Sequence, residues 1–477
     1  MLSDALISAI RKQFPFDFTP DQEQAIKEFC LYYFSAESRK VFILRGYAGT
    51  GKTSLVASIV KTLKQSHRRV KLLAPTGRAA KVFAQHAGTE AYTIHKVIYR
   101  QRNANDENSH FELNYNKEPN TLFIVDESSM ISNDFSSGIF GSGNLLDDLM
   151  EYVYMSSGCS LMFVGDTAQL PPVGENESAA LCAETLQAYN VKVFQSELTE
   201  VMRQGQQSGI LQNATNIRNC ILNENTYDLP LIDLNDFKDI SNVLGNELIE
   251  NIQYSYDHYG IDQTVVVTRS NKDAIRYNMG IRNMIFNRES ELEKGDILMI
   301  VKNNYYWSEL LQDKDSNIPI SFLANGDIAI VENIRRYYEF YGLHFADVDI
   351  CLPDYDNYRM SLRIILECLS AETPALTREQ QDILFQGVWA DYDGTKSKKS
   401  RMKKVKADPN YNALQVKYAY AVTCHKAQGG QWQSVYVHQG WLPPDGVDTS
   451  YYRWLYTAFT RATERLNLVN WPQNQTK

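Results

Sequence analysis

No two cysteines stand in a C-x-x-C pair, and the seven present (Cys30, Cys159, Cys182, Cys220, Cys351, Cys368, Cys424) are scattered and odd in number. That argues against a zinc site or a disulfide framework and for a reducing compartment, so a cytoplasmic location is expected. No apolar run approaches a membrane span. The first residues carry Asp4 early and lack the unbroken apolar stretch of a secretory signal. An excess of positive charge is also missing: 48 Lys+Arg face 57 Asp+Glu, a net charge of −9. Proteins that coat nucleic acid non-specifically are basic overall, so any polyanion must here be met by positive charge confined to a channel. Solenoid repeats and long low-complexity linkers are absent. At 477 residues the chain has room for two or more packed domains.

What is present begins with Val41-Phe42-Ile43-Leu44-Arg45, an apolar run that reads as a buried strand. Gly46-Tyr47-Ala48-Gly49-Thr50-Gly51-Lys52-Thr53 follows, then Leu55, Val56, Ile59, Val60 and Leu63 at helical spacing. G-x-x-x-x-G-K-T between a strand and a helix is the context a phosphate-binding loop requires. Backbone N–H groups at Gly46, Gly49, Thr50 and Gly51 can curl around a β-phosphate, and the helix N-terminus adds positive charge. Lys52 would bridge β- and γ-phosphates while the Thr53 hydroxyl holds Mg²⁺. A chance Gly-rich turn would lack these flanks, so the reading is a nucleoside triphosphate site, with ATP and Mg²⁺ as the ligands.

Residues 1–40 read as one or two amphipathic helices, with Thr19 as cap and Pro20 in the first turn. Strands are expected at Val70–Ala74, Thr121–Val125 and Leu161–Val164, with a helix from Ala79 and a hairpin over 98–118. The pattern restarts with strands at Thr264–Thr268, Gln415–Val422, Gln433–Val437 and Arg465–Asn470, and a helix at Tyr451–Thr463. Strand–helix alternation with apolar strands predicts an α/β fold of doubly wound parallel sheets. We divide the chain into residues 1–190, with the 98–118 hairpin inserted, and 191–477, with a small, mostly β insertion at 331–410.

Asp126-Glu127 ends a buried strand. There Asp126 would hold the metal and Glu127 would polarise water for in-line attack; two surface carboxylates are the plainer alternative. Gln22, the phosphate loop, Leu72–Ala80, Thr93-Ile94-His95, 125–130 (VDESSM), 164–175 (VGDTAQLPPVGE), 198–204 (LTEVMRQ), 422–432 (VTCHKAQGGQW) and 456–466 (YTAFTRATERL) then occur in one order. Together they resemble the motifs of superfamily 1 helicases, in particular the 1B branch of RecD- and Dda-like DNA helicases.

The resemblance implies two RecA-like domains around an ATP cleft, an SH3-like insertion at 331–410 and a duplex-splitting pin at 98–118. It implies that Gln22 bonds adenine, that Gln169 senses the γ-phosphate, that Gln428 also faces the nucleotide, and that Arg203 and Arg461 act as arginine fingers. Position alone would make Arg461 a surface residue. Thr76, Arg78, Thr93, His95, Thr423 and His425 match positions that grip a single strand, although a lone histidine is as often structural. The implied activity is an ATP-dependent DNA helicase moving 5′→3′, acting in repair or recombination. Its expected partners are single-stranded DNA, duplex junctions and replication or repair proteins, with no membrane, and the expected state is a monomer. An RNA helicase and an ATP-switched clamp that never unwinds are the rivals. The run Lys396–Lys406, with seven positive charges, reads as a solvated loop or a phosphate contact.

Overall fold

The computed structural model describes residues 2–101, 111–133, 141–201, 208–235, 237–312, 320, 322–395, 397–442 and 446–477. Helices α1 (Leu2–Gln13) and α2 (Pro20–Phe34) precede strand β1 (Lys40–Gly46). Thr19 caps α2 through a reciprocal bond with Gln22, and Pro20 takes the first turn, where its missing N–H costs nothing. Helix α3 (Lys52–Gln65), β2 (Arg69–Ala74), α4 (Gly77–Ala87), β3 (Ala91–Thr93) and α5 (Ile94–Ile98) follow. Then come β4 (Tyr99–Gln101) and β5 (Phe111–Leu113), antiparallel partners in a separate two-stranded sheet. The tip of the 98–118 hairpin, residues 102–110, lies outside the described residues.

Strands β6 (Thr121–Val125), β7 (Ser160–Gly165) and β8 (Lys192–Leu198) complete a parallel six-stranded sheet in the order β3-β2-β6-β7-β1-β8. Its central strands are buried on both faces, as their unbroken apolar runs require. Because β8 pairs with β1 along its whole length, this sheet reaches past the boundary drawn at 190. Lys192, Gln195, Ser196 and Glu197 make β8 largely polar, as suits an edge strand, and that hid its membership.

A second parallel sheet has the order β16-β10-β17-β18-β9, formed by β9 (Ile240–Val243), β10 (Thr264–Thr268), β16 (Ala421–Thr423), β17 (Trp432–His438) and β18 (Ala462–Val469). Between β10 and β16 the chain closes a five-stranded barrel from β11 (Ile297–Ile300), β12 (Ile328–Phe340), β13 (Leu343–Leu352), β14 (Tyr358–Ile365) and β15 (Leu414–Tyr418). The barrel therefore draws strands from both sides of 331–410. The run 415–422 is not one strand. It bends at Ala419–Tyr420, where Ala419 N–H bonds Ile297 O and the Tyr420 hydroxyl bonds Asp296, so its first half serves the barrel and its second half the sheet. The basic run is also not a loop: Lys398–Lys406 is a helix capped by Ser397, with Val405 buried and Arg401 stacked on Trp389.

Candidate active site

Strands β6, β7 and β1 lie side by side and parallel, so the loops leaving their carboxyl ends converge. Those loops carry Asp126-Glu127, Asp166 and the glycine-rich loop respectively. Ligands of open parallel sheets bind at such carboxyl-end crevices. Gly51 has a φ of +78° immediately before α3, a conformation a side chain would strain. Lys52, the first residue of α3, turns its ammonium back over the loop and donates to Gly46 O and, at 2.9 Å, to Tyr47 O. Its Nζ lies 4.0 Å from Asp166 Oδ2. Thr53, next along α3, is half-buried.

Two carboxylates, Asp126 and Asp166, feel the charge of this lysine. Burial, with the neighbouring Glu127 charge adding to it, pushes Asp126 up to about 7. Asp126 Oδ1 accepts from Glu127 N–H at 2.9 Å. Glu127 itself sits at φ +51°, in the left-handed region that non-glycine residues seldom occupy. Such strain, worth about 1–3 kcal/mol, concentrates at working sites. Burial also raises Asp166, against the opposing pull of Lys52.

The loop after β7 is clasped from the second half of the chain. The Tyr456 hydroxyl donates to Asp166 Oδ2 at 2.7 Å and accepts from Ala48 N–H at 2.8 Å. Leu170 N–H donates to Thr457 Oγ1 at 2.9 Å, and Gln428 Nε2 donates to Leu170 O at 2.7 Å. Gln169 lies within this clasp, and its Oε1 is a buried acceptor with no partner among the described residues. Sequence reasoning singled out neither Asp166 nor Tyr456, although the segments 164–175 and 456–466 contain them.

Two predicted roles meet side chains already occupied. Gln22 is wholly buried, with Nε2 donating to Thr50 O at 2.9 Å and Oε1 accepting from Thr19 N–H at 3.1 Å. Its amide ties the phosphate loop to the start of α2 instead of facing outward. Arg461 is not a surface residue. It is 3% exposed, and its guanidinium bonds Thr457 O, Gly430 O and Thr460 Oγ1 at 3.0–3.2 Å. Its charge still reaches Asp166. Arg203 lies outside the described residues.

The strand-gripping candidates fall on carboxyl-end loops of both sheets. Thr76 caps α4, accepting from Ala79 N–H at 3.2 Å, and Thr93 caps α5, accepting from Lys96 N–H at 3.2 Å. Arg78 lies over the Trp432 ring at 3.8 Å and donates to Gln431 O, which binds α4 to the second sheet. Burial takes His95 down to about 4, so it is neutral at ordinary pH. Thr423 stands level with Thr268 at the end of β16. His425, two residues on, shows an edge to solvent yet is enclosed enough for desolvation to lower its pKa. Within the 98–118 hairpin Phe111 is buried, with its ring 4.1 Å from that of Tyr305, so it offers no free face on which a base could stack. Tyr115 is exposed and carries the Arg100 guanidinium at 4.7 Å.

Residues 17–224 match the model of an AAA domain, and residues 418–469 match that of the UvrD-like helicase C-terminal domain. The chain is 25% identical to the uncharacterized protein R530 of Acanthamoeba polyphaga mimivirus, over 92% of this chain and 97% of that one. It is 26% identical to the ATP-dependent DNA helicase dda of Enterobacteria phage T4, over 55% of this chain and 57% of the relative. Similarity to the ATP-dependent RecD2 DNA helicase of Deinococcus radiodurans is 29% identity over 37% of this chain and 21% of that protein. The chain thus matches about half the length of the phage relative and a fifth of RecD2. The two matched domains bracket the clasped phosphate loop, one supplying Lys52 and Asp126, the other Gln428 and Tyr456. The matched domains and these relatives support a likeness to the RecD/Dda-like helicases of superfamily 1B.

Proposed function

We propose that the chain is an ATP-driven motor that moves 5′→3′ along single-stranded DNA and separates duplex ahead of it. The observation that carries this reading is the clasp of Tyr456, Thr457 and Gln428 on the 166–170 loop. It joins the phosphate loop of one parallel sheet to the helix Thr449–Phe459 of the other, so events at a γ-phosphate bear directly on how the two halves meet. In this reading the sheets are two RecA-like domains, the barrel is an SH3-like insertion and the 98–118 hairpin is the pin.

Lys52 neutralises the β- and γ-phosphates, and Glu127 takes the proton of the attacking water. Gln169, with its unpartnered Oε1, senses the γ-phosphate from inside the clasp. The guanidinium of Arg461, and that of Arg203, offset charge on the transferring group. The donor set suits Mg²⁺: Thr53 and Asp126 would offer it hard oxygen ligands, and a cation would offset the burial and the Glu127 charge that disfavour an ionised Asp126. Among the described residues no three or more His, Cys, Asp or Glu cluster as a metal cage. That fits an ion completed by phosphates, and such an ion supplies charge neutralisation to the phosphoryl group.

Thr76, Arg78, Thr93, His95, Thr423 and His425 hold the strand through its phosphates, without reading sequence. Measuring ATPase activity with and without single-stranded DNA tests the reading. Strong stimulation by DNA and none by duplex lacking a tail is expected; an ATPase indifferent to nucleic acid would overturn it.

A further inference from the structure

The turn that opens β12 reaches both segments assigned above to gripping DNA. Asn325 Oδ1 accepts from Lys426 Nζ at 2.5 Å, beside His425. Two residues on, Asp327 is wholly buried against Gly77, the first residue of α4 and the neighbour of Thr76 and Arg78. The packing leaves no space: a Cβ on Gly77 would lie 2.4 Å from Asp327 Oδ1. Asp327 Oδ2 accepts from Ala324 N–H and the Tyr355 hydroxyl, each at 2.8 Å, whereas Oδ1 has no partner among the described residues. An unpaired carboxylate oxygen therefore faces the start of an eleven-residue helix. That helix end attracts anions, and in the reading above a DNA phosphate is due there as well.

Resting on that reading, we infer that Asp327 is a positioning residue for the single-strand grip: from the barrel it fixes the start of α4, and it takes up a proton when a DNA phosphate arrives there. Two anions at one helix end repel, and the buried one gives way by protonation, because burial already disfavours its charge. Desolvation, with Asp354 adding to it, places Asp327 at about 7. Lys81 of α4 is paired with Asp354 and with Pro353 O, and Arg78 is stacked on Trp432. Lys426, lowered to about 8 by burial and Lys417, loses its charge in a higher window. His95 is neutral throughout.

The sign follows. A phosphate raises the pKa of Asp327 in the complex, so DNA binding carries proton uptake and weakens as pH rises through about 7, by at most about tenfold per unit. The test is anisotropy of a short fluorescein-labelled oligodeoxythymidylate on the intact protein without nucleotide, between about pH 6 and 9 at constant ionic strength. Wild-type affinity is expected to fall several-fold across neutral pH. Asp327→Asn should hold the low-pH affinity with no slope there, and Lys426→Arg should remove only the loss above pH 8. A wild-type slope in Asp327→Asn, or a flat wild-type profile, overturns the inference. Should Asp327→Asn fail to fold, calorimetry of the wild type in two buffers of different ionisation enthalpy counts the proton directly, and zero uptake overturns it. Failure to bind the oligonucleotide at any pH instead overturns the functional reading beneath it.

Discussion

The hydroxyl of Tyr456 donates to Asp166 across 290 residues of sequence, and it accepts from the phosphate loop at Ala48 in the same arrangement. One buried phenol thus holds a strand-end carboxylate, the nucleotide loop and the helix of the opposite sheet together.

Tyr456→Phe keeps the ring and removes both bonds. It leaves an Asp166 oxygen and the Ala48 N–H short of a partner in a buried place, at a cost of about 1–3 kcal/mol. ATP turnover should fall about tenfold, with a smaller change in KM, because the clasp positions the loop more than it binds nucleotide. Steady-state kinetics and an apparent Tm measure both effects; wild-type values in each would show the clasp to be incidental.

Lys52→Ala and Glu127→Gln should part company. The first removes the charge opposite the phosphates and should abolish hydrolysis together with much of the ATP affinity. The second keeps size and hydrogen bonding but loses the base, so ATP should bind and persist unhydrolysed. Filter binding of labelled ATP separates them, and a Glu127→Gln protein that binds no nucleotide would reverse the assignment.

Arg461→Ala should lose stability as well as rate. Removing its guanidinium takes that donor from Gly430 O inside the second half and leaves Thr457 O with the Thr460 hydroxyl, a loss of about 1–3 kcal/mol. Arg461→Lys retains the charge felt at Asp166 and should recover more turnover than stability. Equal recovery of both in thermal and kinetic assays would mean that the residue acts only as a strut.

Asp296 anchors the barrel to the second sheet. It is fully buried and accepts from Arg282 at two positions, from Arg288 and from the Tyr420 hydroxyl, all at 2.9–3.1 Å. Asp296→Ala strands the buried Arg282 charge, and such losses run to about 3–5 kcal/mol. Limited proteolysis should then cut near 296 and 420 at protease levels the wild type resists; an unchanged pattern would contradict this anchoring role.

The sequence disclosed those parts of the molecule whose signals are local. The phosphate loop was legible because strand, glycines and helix are contiguous, and Asp126-Glu127 because a fully apolar strand ends there. Strands β8 and β9 were not, since β8 is largely polar at a sheet edge and β9 is four residues long. The bend that divides 415–422 between barrel and sheet is set by Asp296 and Ile297, more than a hundred residues earlier. Long-range contacts likewise hid Tyr456, Asp166 and the burial of Arg461. Nor can a motif show that the Gln22 amide is already bonded to Thr50 and Thr19, or that Phe111 is packed on Tyr305.

Directional strand separation tests whether the chain is a 5′→3′ motor. Duplexes of DNA and of RNA, each with a single-stranded tail at either the 5′ or the 3′ end, are mixed with the intact protein, ATP and Mg²⁺, and the released strand is followed in time. The account predicts release from 5′-tailed DNA that requires ATP and vanishes in Glu127→Gln. Release from 3′-tailed DNA alone, or from RNA in preference to DNA, would contradict it, and so would ATP hydrolysis with no strand released from any substrate.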